Sequence, residues 1–187
     1  MKIWTAVLKW VIRIVSILIL FLALIVLAYQ LFPTTGPRFI VTASIPVGLY
    51  WAEPVQVQTL QRGDTVCFSY RTPGWASARH YFDEGSLLCK FVQALPGDRV
   101  IRVGDELILH DGQAHIQVLS RFSTWDSRGR MLPAALEPHE SLDLQSGSFW
   151  LGSTALRGLD SRYLGQISAG DIRLKITPVL LLHDYIG

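Results

Sequence analysis

The chain has 187 residues, half of them hydrophobic, and a formal net charge of +2 at neutral pH. Three of its basic residues precede residue 14; from residue 38 onward 14 Lys and Arg stand against 15 Asp and Glu, a net charge near −1. That balance lacks the basic excess typical of nucleic-acid-binding proteins, so we expect no nucleic-acid partner.

The first predicted element is a membrane-spanning helix over residues 14–32, a run of 19 residues without a charge. At about 1.5 Å per residue this helix is roughly 28 Å long, close to the hydrocarbon thickness of a bilayer. Lys2, Lys9 and Arg13 precede it and no acidic residue does, which places the N-terminus in the cytoplasm. The run is longer than the apolar core of a signal peptide, so we interpret it as a retained anchor in the cytoplasmic (inner) membrane.

The anchor divides the chain into four parts. Residues 1–13 form a basic cytoplasmic N-terminus, residues 14–32 the anchor, and residues 33–37 a turn-rich linker. Residues 38–187 form one extracytoplasmic domain, which strand-forming residues and turn signals predict to be mainly β. The predicted strands cover residues 64–70, 87–95, 99–103, 106–109, 149–152 and 171–176.

Four further segments have weaker signals. Residues 75–82 favour a short helix, and residues 110–113 favour a turn. Residues 120–147 lack periodicity and are predicted to be a long loop. The apolar residues 178–182 are too short to span a bilayer and fit either a final strand or a contact with the membrane surface.

Ser44 is the candidate nucleophile, in a segment that reads Ser-Ile-Pro-Val-Gly-Leu-Tyr. Pro46 stiffens the backbone, and Gly48 lets the chain turn without steric cost. A hydroxyl on such a backbone starts close to attack geometry, and its own N–H can point at a developing oxyanion. Thr42 is a candidate second donor. The alternative interpretation is that the segment is simply a turn.

Lys90 is the candidate base, because a serine needs one at neutral pH. On the alternating pattern of its predicted strand, Lys90 shares a face with Leu88 and Val92, which predicts a partly desolvated amine with a lowered pKa. The alternative is a lysine that extends to solvent at a sheet edge. No histidine lies in a nucleophile motif or in zinc-type spacing, so we expect neither a histidine triad nor a metal site.

The two cysteines, Cys67 and Cys89, both follow the anchor. An even number in an oxidising compartment permits one disulfide, and two buried free thiols are the alternative. Because Cys89 points away from the Lys90 face, a Cys67–Cys89 bond would brace the back of the strand without blocking the site.

Three blocks in order, with the anchor before them, resemble the signal peptidase I superfamily of serine–lysine peptidases. They are residues 44–50, the Lys90-Phe91-Val92 and Leu95-Pro96-Gly97-Asp98-Arg99-Val100 segments, and residues 158–165. The form Ser-x-Pro-x-Gly-x-Tyr resembles the TraF-type branch, conjugative-transfer peptidases that mature pilin subunits. The resemblance implies a signal peptidase/LexA-like, β-rich catalytic domain.

The same resemblance implies roles for five residues. Ser44 attacks, Lys90 is the general base, and the Ser44 N–H with Thr42 forms the oxyanion hole. Asp160, paired with Arg162, supports the lysine side of the site. Read locally, these two charged residues in a turn would be an exposed pair of little energetic value.

The chain departs from the resembling family at two places. Gly158 stands where signal peptidase I usually has a serine that hydrogen-bonds the lysine, and Gly152-Ser153-Thr154 replaces the usual Gly-Asp-Asn. What orients Lys90 is therefore left open, with Asp160 as the candidate.

The function that the resemblance implies is a membrane-anchored serine endopeptidase without a cofactor. Its partners are membrane lipid and a secreted precursor with small residues at −1 and −3. In the TraF-type branch this precursor is a pilin subunit, which some relatives also cyclise. Phe39, Ile40, Ile45 and Trp51 are candidate pocket residues. A general signal peptidase I, a LexA-type self-cleaving regulator and a non-catalytic assembly factor of a conjugation or secretion apparatus are the alternatives.

Overall fold

The N-terminal unit, residues 1–36, is built on one long helix, α1 (Lys2–Leu31). The computed structural model describes residues 2–31, 34–110 and 116–182. Helix α1 begins well before the predicted start at residue 14, because residues 2–13 contain no Gly or Pro that would interrupt it. Its segment Lys9–Leu27 is long and apolar enough to cross a membrane, with a mean hydropathy of 2.9. The end of the predicted span at Phe32 and the first linker residue, Pro33, lie outside the described residues.

The second unit, residues 37–187, is mainly β, as the sequence predicts. Besides one short helix, α2 (Ser161–Leu164), its elements are the strands β1 (Gly36–Ile40), β2 (Gly48–Pro54), β3 (Thr65–Ser69), β4 (Leu87–Ala94), β5 (Arg99–Val103), β6 (Glu106–His110), β7 (Ile116–Arg121), β8 (Ser141–Asp143), β9 (Ser148–Gly152), β10 (Ile167–Ser168) and β11 (Ile172–Leu181). They form two antiparallel sheets. The larger has the order β1-β2-β11-β3-β4-β9-β10 and the smaller the order β7-β6-β5-β8.

Strand β4 lies inside the larger sheet, between β3 and β9. Its side chains are buried alternately, and the buried face carries Leu88, Lys90 and Val92. In the register with β3, Lys90 lies opposite Val66, and Cys67 lies opposite Cys89. The two cysteines are joined by a disulfide.

Three groups of buried side chains hold the second unit together. The first lies on the Leu88 and Val92 face of the larger sheet. The second surrounds Trp150 and joins the smaller sheet to the segments around residues 122–136. The third contains Tyr50, Leu174 and Ile176, with the disulfide beside it.

Several elements differ from the sequence-based expectations. The predicted helix over residues 75–82 is reduced to one turn of 3₁₀ helix, Gly74–Ala76, and His80 has a positive φ of 47° that no helix allows. The predicted loop over residues 120–147 contains the end of β7 and all of β8. The final strand continues past residue 176 to Leu181, so the apolar C-terminal segment is a strand. Most of the predicted turn at residues 110–113 lies outside the described residues.

Gly48 allows the close approach of β2 to β11. A Cβ built on Gly48 would overlap the backbone carbonyl oxygen of Leu180, which lies in the paired strand and cannot rotate away. We expect Gly48→Ala to lower the free energy of unfolding by about 1–3 kcal/mol, as measured by chemical denaturation in detergent micelles. Gly74→Ala is the matched control, because a Cβ there meets no atom within 4 Å. Equal stability of the two variants would contradict this account.

Candidate active site

Ser44 lies in the segment that connects β1 to β2, residues 41–47, which we call the serine loop. Hydrogen bonds from Thr154 and Tyr50 hold this loop in place. The backbone N–H of Thr154 donates to the Ser44 carbonyl at 3.2 Å, and the Thr154 hydroxyl donates to the Ala43 carbonyl at 3.1 Å. The Tyr50 hydroxyl donates to the Pro46 carbonyl at 2.7 Å. Ser44 is therefore fixed from both sides while its side chain stays half-buried.

The Lys90 ammonium lies against the Ser44 hydroxyl. Its Nζ donates a hydrogen bond to Ser44 Oγ at 2.6 Å, although the two residues are 46 positions apart in the chain. The side chain is 3 % exposed and shares its sheet face with apolar Leu88 and Val92. Sequence reasoning proposed this pair, and the fold brings its two members into direct contact.

Burial changes the protonation of this lysine. It lowers the pKa of Lys90 from 10.5 to about 8, because an ammonium loses its hydration in an apolar environment. The nearby Asp160 carboxylate raises this pKa and the Arg162 guanidinium lowers it, so the two charges act against each other. A neutral amine at this position accepts the proton of a serine hydroxyl.

Asp160 and Arg162 form a fully buried ion pair. Asp160 Oδ1 accepts from Arg162 Nε and Oδ2 accepts from Arg162 Nη2, both at 2.8 Å. The side chains are 0 % and 1 % exposed, so the local expectation of an exposed pair is wrong. A buried pair survives only when further hydrogen bonds satisfy both groups. Asp160 receives two from Ser153, from the hydroxyl at 2.7 Å and from the backbone N–H at 3.1 Å.

Arg162 holds the loop at residues 153–158, which we call the support loop. Its guanidinium donates to the backbone carbonyls of Ala155, Leu156 and Gly158, and also to that of Arg121 on β7. The support loop carries Thr154, whose two hydrogen bonds hold the serine loop. The ion pair therefore acts on Ser44 through the support loop and on Lys90 through its charge.

Ser153 is a site residue to which sequence reasoning gave no role. A Cβ built on Gly158 would overlap the Ser153 Oγ, so the Ser153 hydroxyl fills the space that a side chain at 158 would take. The same hydroxyl donates to Asp160. The two departures from the family pattern, Ser153 and Gly158, thus complement each other. Their joint occurrence is the sequence signal that could have identified Ser153.

The other candidate residues lie in the serine loop or on the strands next to it. Thr42 is exposed in the bend before Ser44. Phe39 and Trp51 are exposed, at 59 % and 47 %. Ile45 is buried in the group of side chains around Tyr50, and Ile40 packs against that group.

Metal-binding side chains are scattered over the second unit. Within residues 34–110 and 116–182, no three His, Cys, Asp or Glu side chains lie close enough together to hold a metal ion.

Comparison with known proteins adds family information. The profile of the family described as signal peptidase, peptidase S26, matches residues 7–180. Among solved structures the chain is similar to a signal peptidase I from Enterococcus faecalis, with 23 % identity over 67 % of this chain and 97 % of that chain and a TM-score of 0.36. A search of curated proteins found no match.

The lowered pKa of Lys90 predicts how Ser44 reactivity depends on pH. Phosphonylation of Ser44 by a fluorophosphonate probe, in which Ser44 Oγ displaces fluoride from phosphorus, should rise about tenfold per pH unit below pH 8 and level off above it, as the neutral amine becomes the main form. Mass spectrometry of the modified peptide measures the rate. Lys90→Arg should stay near background at every pH, since a guanidinium remains protonated. A phosphonylation rate that did not change with pH would contradict the assignment.

Proposed function

The chain belongs to the signal peptidase family of serine peptidases, peptidase S26, and we propose that it is a membrane-anchored endopeptidase with Ser44 as nucleophile and Lys90 as general base. One observation carries this proposal. A lysine amine that is almost fully buried, with its pKa lowered to about 8, lies 2.6 Å from a serine hydroxyl. A solvated lysine would be protonated at neutral pH and could not act as a base.

The reaction begins when neutral Lys90 removes the proton of Ser44 and Ser44 Oγ attacks the carbonyl carbon of the scissile bond. The oxyanion receives hydrogen bonds from the Ser44 N–H and the Thr42 hydroxyl, whose exposed position leaves it free to turn toward that oxygen. The Lys90 ammonium then protonates the departing amine, and the C–N bond breaks. Lys90 next takes a proton from water, which attacks the acyl-enzyme carbonyl. The bond from that carbon to Ser44 Oγ then breaks, the Lys90 ammonium returns its proton to Oγ, and the product leaves with a new carboxyl terminus.

The substrate is a secreted precursor presented as an extended strand with small residues at −1 and −3. Strand β1 lies at one edge of the larger sheet and leads directly into the serine loop, which supports substrate binding by addition of a strand. Phe39 and Ile40 on β1 are then close to the substrate, while Ile45 shapes the pocket from within the core.

The Ser-x-Pro-x-Gly-x-Tyr segment favours a pilin subunit of a conjugation apparatus as the physiological precursor. An amine of the substrate would then replace water as the acceptor of the acyl group and give a cyclic product. The second unit lies outside the cytoplasm, which agrees with the basic residues before the helix and with the disulfide, since disulfides form in oxidising compartments. Comparing cleavage of a pilin precursor with cleavage of an ordinary secreted preprotein separates this role from that of a general signal peptidase.

The serine loop is bordered by an apolar surface that suits a lipid bilayer. It consists of the exposed side chains of Phe39, Val41, Trp51, Val179, Leu180, Leu181 and Leu182. Leu180 and Leu181 pair with the start of β2, and the Leu182 N–H donates to the Val47 carbonyl, so these side chains adjoin the serine loop. Burial of this surface in the lipid headgroup region would bring the site to a membrane-bound precursor.

Lipid contact at Trp51 is testable by fluorescence. In liposomes that contain brominated lipids, the wild-type protein should lose a larger fraction of its tryptophan fluorescence than Trp51→Phe does. Trp125→Phe is the control, because Trp125 is comparably exposed but lies in the segment after β7. If Trp51→Phe and Trp125→Phe were quenched to the same extent, this surface would not contact lipid.

The catalytic assignment is tested in the full chain reconstituted in liposomes. Ser44→Ala should abolish cleavage of a precursor, and Lys90→Ala and Lys90→Arg should lower it at least about a hundredfold, because each removes the neutral amine base. Gel mobility and mass spectrometry of the product termini measure cleavage. Lys175→Ala is the matched control, since Lys175 lies in the same sheet on β11, opposite Val66 of β3, and pairs with Asp64 at 2.9 Å. Cleavage retained by Ser44→Ala or by either Lys90 variant would refute the pair.

A further inference from the structure

A cavity of about 340 Å³ is lined by Thr154, the residue that holds the serine loop. It extends between β4, the end of β7 and the support loop, and its lining includes Gln93, Ser120, Arg121 and Arg162. Thr154 lines the cavity and donates to the Ser44 carbonyl, so the cavity begins next to Ser44. Its volume is far larger than the methyl group of an alanine requires and lies at the lower end of small-ligand sites, roughly 300–1,000 Å³.

Two polar side chains of this cavity have unused hydrogen-bonding capacity. Gln93 Nε2 donates to the Leu119 carbonyl at 3.2 Å, which fixes the orientation of the amide and turns Oε1 away from that carbonyl. Among the described residues, neither Gln93 Oε1 nor Ser120 Oγ has a hydrogen-bond partner, although both atoms are buried. Buried polar atoms are nearly always paired in native proteins. The two side chains therefore indicate a site for a group that donates to an amide oxygen and also bonds a hydroxyl.

The charges around the cavity favour an uncharged ligand over an ionic one. Arg121 pairs with Glu106 at 3.0 Å, and Arg162 pairs with Asp160 at 2.8 Å, so each guanidinium already has a carboxylate partner. A carboxylate has only acceptors and could not donate a hydrogen bond to Gln93 Oε1. An ammonium could donate one, but it would lie beside two guanidinium groups of the same charge. A carboxamide supplies both a donor and an acceptor without charge. The side chains of asparagine and glutamine have this chemistry.

We propose that this cavity is a subsite for an asparagine or glutamine side chain on the leaving-group side of the scissile bond. The inference rests on the proposed peptidase function. Successive side chains of an extended substrate point in opposite directions, so small residues at −1 and −3 that face the protein leave −2 facing outward. A cavity of this size next to Ser44 then serves a residue after the bond. The enzyme would thus select its precursor by a carboxamide near the start of the mature protein.

The test uses synthetic peptides with Ala at −1 and −3 and the full chain in detergent micelles. Gln is placed in turn at +1, +2, +3 and −5, and a matched set carries Met, which has a similar shape but no hydrogen-bonding amide. Binding is measured by fluorescence anisotropy with the Ser44→Ala protein, and cleavage of the same peptides is measured with the wild type. We expect Gln at one position from +1 to +3 to bind about tenfold tighter than Met.

Variants of the cavity identify the contact. In the Ser44→Ala background, Ser120→Ala should lower this preference at least threefold, and adding Gln93→Met should remove it. Ser120→Ala removes a hydroxyl without a partner among the described residues, so the unfolding temperature of this variant should not fall. Ser120→Ala therefore tests whether the cavity binds the carboxamide even if the Gln93 variant does not fold. Ser141→Ala, exposed on β8, is the control and should keep the full preference.

Each outcome bears on one of the two proposals. A Gln preference that persists in Ser120→Ala, a preference at −5 alone, or none at any position would overturn the subsite even if the wild type cleaves the peptides. A preference that the cavity variants abolish, together with no cleavage of any peptide by the wild type, would support the carboxamide site and overturn the peptidase function.

Discussion

The structure depends on an amine that is removed from water and placed against a hydroxyl. Lys90 lies inside a sheet rather than at its edge, so the apolar face of β4 removes the hydration that would keep the amine protonated. The fold thereby raises the neutral, basic fraction of this lysine to about a tenth at pH 7, whereas a solvated lysine with a pKa near 10.4 has far less than 1 %. The hydroxyl belongs to the serine loop, which connects β1 and β2 at one edge of the same sheet.

A buried ion pair keeps Lys90 and Ser44 in place. Asp160 and Arg162 are costly to bury, and a pair of apolar residues could provide similar stability. Their contribution is positional, because Arg162 binds three carbonyls of the support loop and that loop holds the serine loop through Thr154. The net charge near Lys90 also stays balanced, since one partner raises its pKa and the other lowers it.

The sequence predicted those parts of the fold and the candidate site that depend on local pattern. Alternation along β4 was enough to place Lys90 on the buried face, and turn residues located the hairpin of β5 and β6. Burial of Asp160 and Arg162 was not predictable in this way, because it depends on tertiary contacts such as the hydrogen bond from the Arg162 guanidinium to the Arg121 carbonyl on β7, 41 positions away in the chain. The match between Ser153 and Gly158 is likewise a matter of side-chain volume across a folded loop. The helix predicted at residues 75–82 does not form beyond the turn Gly74–Ala76, because the backbone leaves the right-handed helical region at His80, where φ is 47°.

The Cys67–Cys89 disulfide has a consequence for strand pairing. In an antiparallel sheet, a shift of one residue turns every side chain of a strand to the other face. Such a slip of β4 against β3 would carry Lys90 away from Ser44, and a lysine has little intrinsic preference for the apolar side. The covalent bond, formed by the residue next to Lys90 in the chain, allows only the native alignment. Formation of the disulfide would then also fix Lys90 in its buried position. A chain in a reducing environment lacks this bond, and nothing covalent prevents the misaligned pairing of β3 and β4.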